Sequence, residues 1–338
     1  MKNYIYLLLI GSLMILSGCR SESKVRTLKL AHGLPTSHPV HEAMVFMAEQ
    51  VEKKSEGKMR IDVYPSQQLG DERQCLELLQ IGSIAITKVS AGVLENFAPI
   101  IRVLGLPYVF RSKEHHFKVL DGPIGQRLLE SPQKYLLRGL CFYDAGSRSF
   151  YTKDKPIRTP EDLNGLKIRV MESKTATEMV NGLGGSATPI SWGELYSSLQ
   201  QGVVDGAENN PPSFYTSRHY EICKYYSINE HTAVPDVLII STIIWNQLND
   251  QEKKWLTEAV EESVPYERKV WEESVAESLK KVQEAGVEVI YPDKEPFMEK
   301  LAPVLESYKD DSELYELIQE IRAVKVEPDT VSGEETLP

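Results

Sequence analysis

The chain has 338 residues, of which 41% are hydrophobic and 26% charged, and its formal net charge is −11. That length and composition predict a globular chain of about two domains. The acidic balance argues against a nucleic-acid partner, which needs a basic face, and it repels anions at long range. A site for an acid must then be a local positive pocket, so buried arginines carry more information here than surface ones.

The first residues read as targeting, not fold. Lys2 gives a positive start, Tyr4 to Leu16 an apolar run too short to span comfortably, and Leu16-Ser17-Gly18-Cys19 a small-residue cleavage site. Residues 1–19 resemble a bacterial lipoprotein signal, in which Cys19 becomes the lipidated residue. Acyl chains there would hold the protein on a membrane surface, each buried CH₂ contributing about 0.8 kcal/mol. Cys75, Cys141 and Cys223 remain, an odd number without metal-ligand spacing. They are expected to be buried free thiols, with a disulfide between two of them left open.

Leu28 to Ala31 reads as the first strand, and His32 to Pro39 as a loop opening a helix. Val40, Ala43, Met44, Met47 and Val51 give that helix an apolar stripe, and Gly57 ends it. Met59, Ile61 and Val63 alternate as a second strand, completing a right-handed crossover unit. Asp71 is placed to start a helix ending near Gly82, Ile84 to Val89 is a third strand, and Ser112 caps a helix through Leu120. Leu140 to Ala145 is a strand crossing into a second lobe, which Gly146 to Tyr151 enters.

Thr159 to Gly165 forms a capped turn before Leu166-Lys167-Ile168-Arg169-Val170, whose two-residue period sends Leu166, Ile168 and Val170 to a core. Arg169 is left near the carboxyl end of that strand, where open α/β sheets place their ligands. A helix over 174–183, a strand over 187–190 and a helix over 192–201 follow. Trp192, Leu195, Leu199 and Val203 fall on one stripe of the last. The cluster Asp205-Gly206-Ala207-Glu208-Asn209-Asn210 then ends a strand, stopped by Pro211 and Pro212. Val237 to Trp245 is β-prone and returns to the first lobe. Asn249 or Asp250 caps a long helix to Ala285, kinked at Pro265 and stopped by Gly286. Lys309 to Val324 supplies a last helix, and Glu327 to Pro338 reads as an acidic, disordered tail.

The strand arginine, the helix after it and Gln201-Gly202-Val203-Val204-Asp205-Gly206-Ala207-Glu208-Asn209 resemble the solute-binding receptors of TRAP (tripartite ATP-independent periplasmic) transporters. Ser66 to Arg73 and Leu104 to Phe110 match as well, and the resemblance runs from Thr27 to Ala323. It implies an α/β, two-lobed, periplasmic-binding-protein-like fold: mixed sheets with flanking helices, a ligand cleft between the lobes and a long helix packing on both. Residues 27–144 with 234–262 would form one lobe, and 145–233 with 263–325 the other. The implied activity is capture of a small organic acid for delivery to the transporter's membrane subunits, by a monomer and without a cofactor.

In that family the arginine matching Arg169 grips the ligand carboxylate, as a guanidinium does through two parallel hydrogen bonds. A purely structural Arg169 would instead pair with Glu172 or Asp205. Arg148 and Asn209 are further candidates, with Glu208, Glu72 and His32 as polar groups able to meet hydroxyls. This inventory suits an acid bearing several hydroxyls, a hexuronate before a C4-dicarboxylate or another hydroxy or keto acid. An envelope-anchored enzyme acting on a carbohydrate acid is the rival, with Glu72 and Glu208 as its acid/base pair. Trp192 is assigned to packing ahead of stacking on a sugar. His32, His38 and His41 lack the clustered carboxylates of a metal site. Gly182-Leu183-Gly184-Gly185-Ser186-Ala187 follows a helix instead of opening one, so it does not aim amides at a pyrophosphate.

Overall fold

The computed structural model describes residues 25–326, and the expectations for Cys19 and for Glu327 to Pro338 lie outside the described residues. The chain lays down β1 (Arg26–Ala31), β2 (Met59–Tyr64), β3 (Ile86–Ser90) and β4 (Leu137–Tyr143). It then crosses to build β5 (Arg148–Thr152), β6 (Lys167–Val170), β7 (Ser186–Pro189), β8 (Gly206–Asn209) and β9 (Tyr225–Thr232). It returns with β10 (Asp236–Ser241), and β11 (Glu288–Ile290) follows the long helix. Two sheets result, ordered β2-β1-β3-β10-β4 and β11-β9-β5-β8-β6-β7. This is the two-lobed α/β arrangement expected, and the chain passes between the sheets at 144–147 and again at 233–235.

Strand direction decides where chemistry can gather. β1 and β3 run parallel, as do β6 and β8, so their carboxyl ends lie together at one edge of each sheet. β10 is antiparallel to β3 in a register that sets its first residue, Asp236, beside the last of β3, Ser90. β5 is antiparallel to β8, so Arg148, at its start, comes beside Glu208 and Asn209 at the end of β8. Open α/β sheets bind ligands at this edge because side chains there face a crevice instead of a neighbouring strand.

Local signals hold well at helix starts. The helix Pro39–Lys54 buries Val40, Ala43, Met44, Met47 and Val51 as its periodicity predicts. Asp71 makes a capping box with Gln74, Ser112 accepts from the His115 amide, and Asn249 makes a second box with Glu252. The long helix Asp250–Glu284 continues through Pro265 and touches both cores. Its Leu256, Ala259, Val260 and Trp271 pack with the first sheet, whereas Val282 packs with the second. Cys75, Cys141 and Cys223 are buried and free.

Four expectations are corrected. The β-prone run Val237 to Trp245 is strand only to Ser241, whose hydroxyl caps the helix Thr242–Gln247, and that cap outweighs β-propensity. Pro211 and Pro212 open the helix Pro211–Thr216 with Asn210 as its cap, because proline lacks only an N–H that the first turn does not use. Val203 is 48% exposed and Val204 is buried in its place, since the helix Leu195–Gln200 stops before the stripe reaches that far. Residues 263–325 do not all pack with the second sheet: Tyr308, Leu314, Leu317, Ile318 and Ile321 join the core over the first.

Candidate functional site

Between the sheets lies a cavity of about 60 Å³ lined by both lobes. The first lobe contributes Lys88, Ser90 and Asp236 from its sheet and Glu72 from the start of the helix Glu72–Gln80, and the second sheet Arg148, Arg169 and Asn209, with Trp192 and Ser213 from adjoining segments. A larger groove of about 820 Å³ runs along the long helix and includes none of the six predicted site residues. Its Lys294 is ion-paired with Glu230, its Lys113 faces Glu272 at 3.7 Å and its Arg111 is spent on backbone carbonyls, which makes the smaller cavity the candidate site for an acid.

Arg169 is 3% exposed, and its Nε donates to the Ile190 carbonyl at 2.8 Å. The guanidinium lies over the Trp192 ring, 5.5 Å from its centroid. Trp192 therefore does two things, packing against both cores and steadying the arginine's face. Among the described residues no carboxylate pairs with Arg169: Asp205 accepts from the Lys167 amide, and Glu172 offers only its backbone carbonyl, to Asn96. Burial pulls the Arg169 guanidinium below its ordinary value, and Tyr151 and Glu208 do not make up the difference.

Arg148 stands in contrast. Its Nε meets Glu208 Oε2 at 2.5 Å, its second terminal nitrogen meets Glu208 Oε1 at 2.8 Å, and a third donor meets Asn209 Oδ1 at 2.7 Å. Burial alone would lower its pKa, but the Glu208 charge raises it overall. Glu208 is sealed between Arg148 and His231 and does not line the cavity. Burial pushes its carboxyl up, yet Arg148 and His231 bring it down to about 2. Asn209 spends Oδ1 on Arg148 and on the Asn210 amide, so its NH₂ is the group left for a ligand.

Glu72 reaches the cavity but is already engaged. Lys88 Nζ lies 2.9 Å from it and the Ser90 amide 3.2 Å from each of its oxygens. Lys88 Nζ also meets Asp236 Oδ1 at 3.1 Å. His32 does not line the cavity. Its Nδ1 accepts from the Leu34 amide at 3.2 Å, which leaves Nε2 to donate to His41 Nδ1 at 3.0 Å. The histidine that faces the cavity is His38, whose Nδ1 accepts from the Val40 amide while Nε2 donates to Ser213 Oγ at 3.1 Å.

Sequence reasoning did not single out Lys88 and Asp236, and it weighed His38 only with His32 and His41 as a metal site, whereas all three line the cavity: Lys88, Asp236 and His38. A lysine inside the apolar run Ile84 to Val89 was the available signal for the first, because a strand buried on both faces has no cheap place for an unpaired ammonium.

The lobes also hold each other at sites that a ligand would not touch. Glu95, from the first lobe, accepts at Oε1 from Ser173 Oγ at 2.9 Å and from the Thr175 amide at 3.0 Å. It thereby caps the helix Lys174–Gly182 of the second lobe. Arg102 meets Glu178 across the same gap at 3.1 Å. Charge-assisted hydrogen bonds of this kind are worth about 1.5–3 kcal/mol each. Glu95→Ala is therefore expected to weaken ligand binding by about ten- to a hundredfold through loss of the closed state. Isothermal titration measures it, and an unchanged dissociation constant would show that closure does not depend on this contact.

A two-lobed fold with an uncompensated arginine in a shared cleft defines a solute-binding receptor. The chain belongs to the family of bacterial extracellular solute-binding proteins, family 7, whose model matches residues 30–311. These are the receptors of TRAP transporters, periplasmic proteins that work with membrane subunits. The chain is 39% identical to a TRAP solute-binding protein from a Bradyrhizobium strain crystallised with galacturonate, covering 88% of this chain and all of that one at a TM-score of 0.86. It is 39% identical to one from Anaerococcus prevotii with bound glucuronate, covering 88% and 97%, also at 0.86. Among curated sequences it is 38% identical to the uncharacterised protein YiiZ of Salmonella typhimurium, over 88% of this chain and 91% of that one.

Proposed function

We propose that this receptor captures a hexuronate, galacturonate or glucuronate, and passes it to the membrane subunits of a TRAP transporter. The observation that carries the reading is the bare guanidinium of Arg169, the one cavity arginine without a carboxylate partner among the described residues. The ligand carboxylate takes that fork. Its hydroxyls meet the Asn209 NH₂ on the same lobe and the Glu72, Lys88 and Asp236 groups on the other. Only the closed arrangement offers both sets, so the ligand favours closure about the segments 144–147 and 233–235. The galacturonate and glucuronate held by the related structures support the choice of sugar acid.

The rival enzyme reading needs a free acid/base pair, and neither carboxylate is free. Glu208 is locked by Arg148, and Glu72 by Lys88 and the Ser90 amide. Lipidation at Cys19, attachment to a membrane surface and a monomeric state complete the proposal.

A thermal-shift series tests the ligand. Galacturonate or glucuronate at 100 times its dissociation constant should stabilise the folded chain by about 2.7 kcal/mol. A shift with succinate and none with either uronate would transfer the assignment to the C4-dicarboxylates.

A further inference from the structure

The two walls of the cavity carry opposite charge. On the second lobe Arg148 is neutralised by Glu208, which leaves Arg169 as the one uncompensated cation among the described residues lining the cavity there. On the first lobe the Lys88 ammonium is shared between two carboxylates, Glu72 at 2.9 Å and Asp236 at 3.1 Å, which leaves that wall with an excess of one negative charge. All three of these groups line the cavity, and Lys88 and Asp236 are almost wholly buried. One carboxylate is thus welcome at one end only.

We infer that Asp236 and Glu72, joined through Lys88, form a specificity wall that accepts the ligand's hydroxyl protons and rejects a second carboxylate. The inference rests on the sugar-acid reading of the site and adds what that site refuses. The receptor takes polyhydroxy monocarboxylates and excludes dicarboxylates of the same length.

The chemistry follows from the donor inventory. An ionised carboxylate only accepts hydrogen bonds, so Glu72 and Asp236 have lone pairs for ligand hydroxyls but nothing to donate to a carboxylate. Lys88 has three N–H groups and two are committed, so it can answer one hydroxyl without releasing either partner. A second ligand carboxylate would lie against two like charges and one already shared cation. Like charges brought together in a dry site repel far more strongly than in water.

The test compares galacturonate with galactarate, the six-carbon polyhydroxy acid bearing a carboxylate at each end, by isothermal titration. Native protein should bind galactarate at least about a hundredfold more weakly than galacturonate. Asp236→Asn keeps an acceptor for Lys88 and removes one negative charge, so it should tighten galactarate binding at least about tenfold while weakening galacturonate. Glu72→Gln, near the opening of its helix, should move the ratio the same way if Asp236→Asn does not fold. Equal affinity of the native protein for both acids, or an unchanged ratio in both variants, would overturn the wall. Binding of gluconate with neither hexuronate nor galactarate bound would uphold the wall and refute the hexuronate reading instead.

Discussion

Arg169→Ala is expected to abolish ligand capture at ordinary concentrations, with affinity reduced between about thirty-fold and several thousand-fold. Truncating one partner of a buried, hydrogen-bonded charge pair costs about 2–5 kcal/mol, and each 1.4 kcal/mol is tenfold. The effect belongs at the large end because no other described residue lining the cavity supplies an uncommitted positive charge: Arg148 is held by Glu208, and Lys88 by Glu72 and Asp236. Arg169→Lys should recover only part of the loss. It restores a charge but not the fork, and it gives up the planar group that lies over Trp192. Titration with the uronate that shifts the native protein gives the measurement. A dissociation constant within a few-fold of native for Arg169→Ala would remove the basis of the site.

The second large effect is acid sensitivity. All seven histidines are held below the ordinary imidazole value, with burial the leading cause in each. His32, His116 and His219 fall to about 3, and His38 lies well below its ordinary value. In the unfolded chain these groups take up a proton near pH 6.5. The unfolded state therefore binds more protons as the pH falls from about 6.5 toward 3, and stability drops across that window. Each deeply buried histidine contributes about 1.4 kcal/mol per pH unit until its own folded value is reached. Glu267, Asp144 and Asp236 oppose this, because burial raises their carboxyls, but they are three groups against seven. The thermal midpoint should fall by more than about ten degrees between pH 7.5 and pH 5. His219→Asn, at a ring that packs edge-on against Trp192 but does not itself line the cavity, should flatten that slope; a midpoint constant or rising on acidification would contradict the account.

What could be read without coordinates was local. A two-residue period placed Ile168 and Val170 in the core, and both are buried, with Arg169 beside the strand's carboxyl end. Asp71, Ser112 and Asn249 announce their helices because a cap acts within three residues of itself. Where local signals competed, the outcome depended on geometry: Ser241 turned a β-prone run into a helix, and two prolines read as a stop opened one.

The charge state of the site was not local. Arg148 meets Glu208 across 60 positions and Lys88 meets Asp236 across 148, and no periodicity in the chain records either pair. Sequence named both arginines as candidates, yet only packing distinguishes the compensated one from the bare one. The same holds for His32, turned inward on His41, while His38 took the place beside the cavity. The amino-acid order by itself determined the strand-and-helix alternation, the caps and the arginine at the end of β6. The tertiary structure decided which charges cancel, because Coulomb interaction and desolvation depend on distance and burial in space, and two sheets brought together at their edges set both.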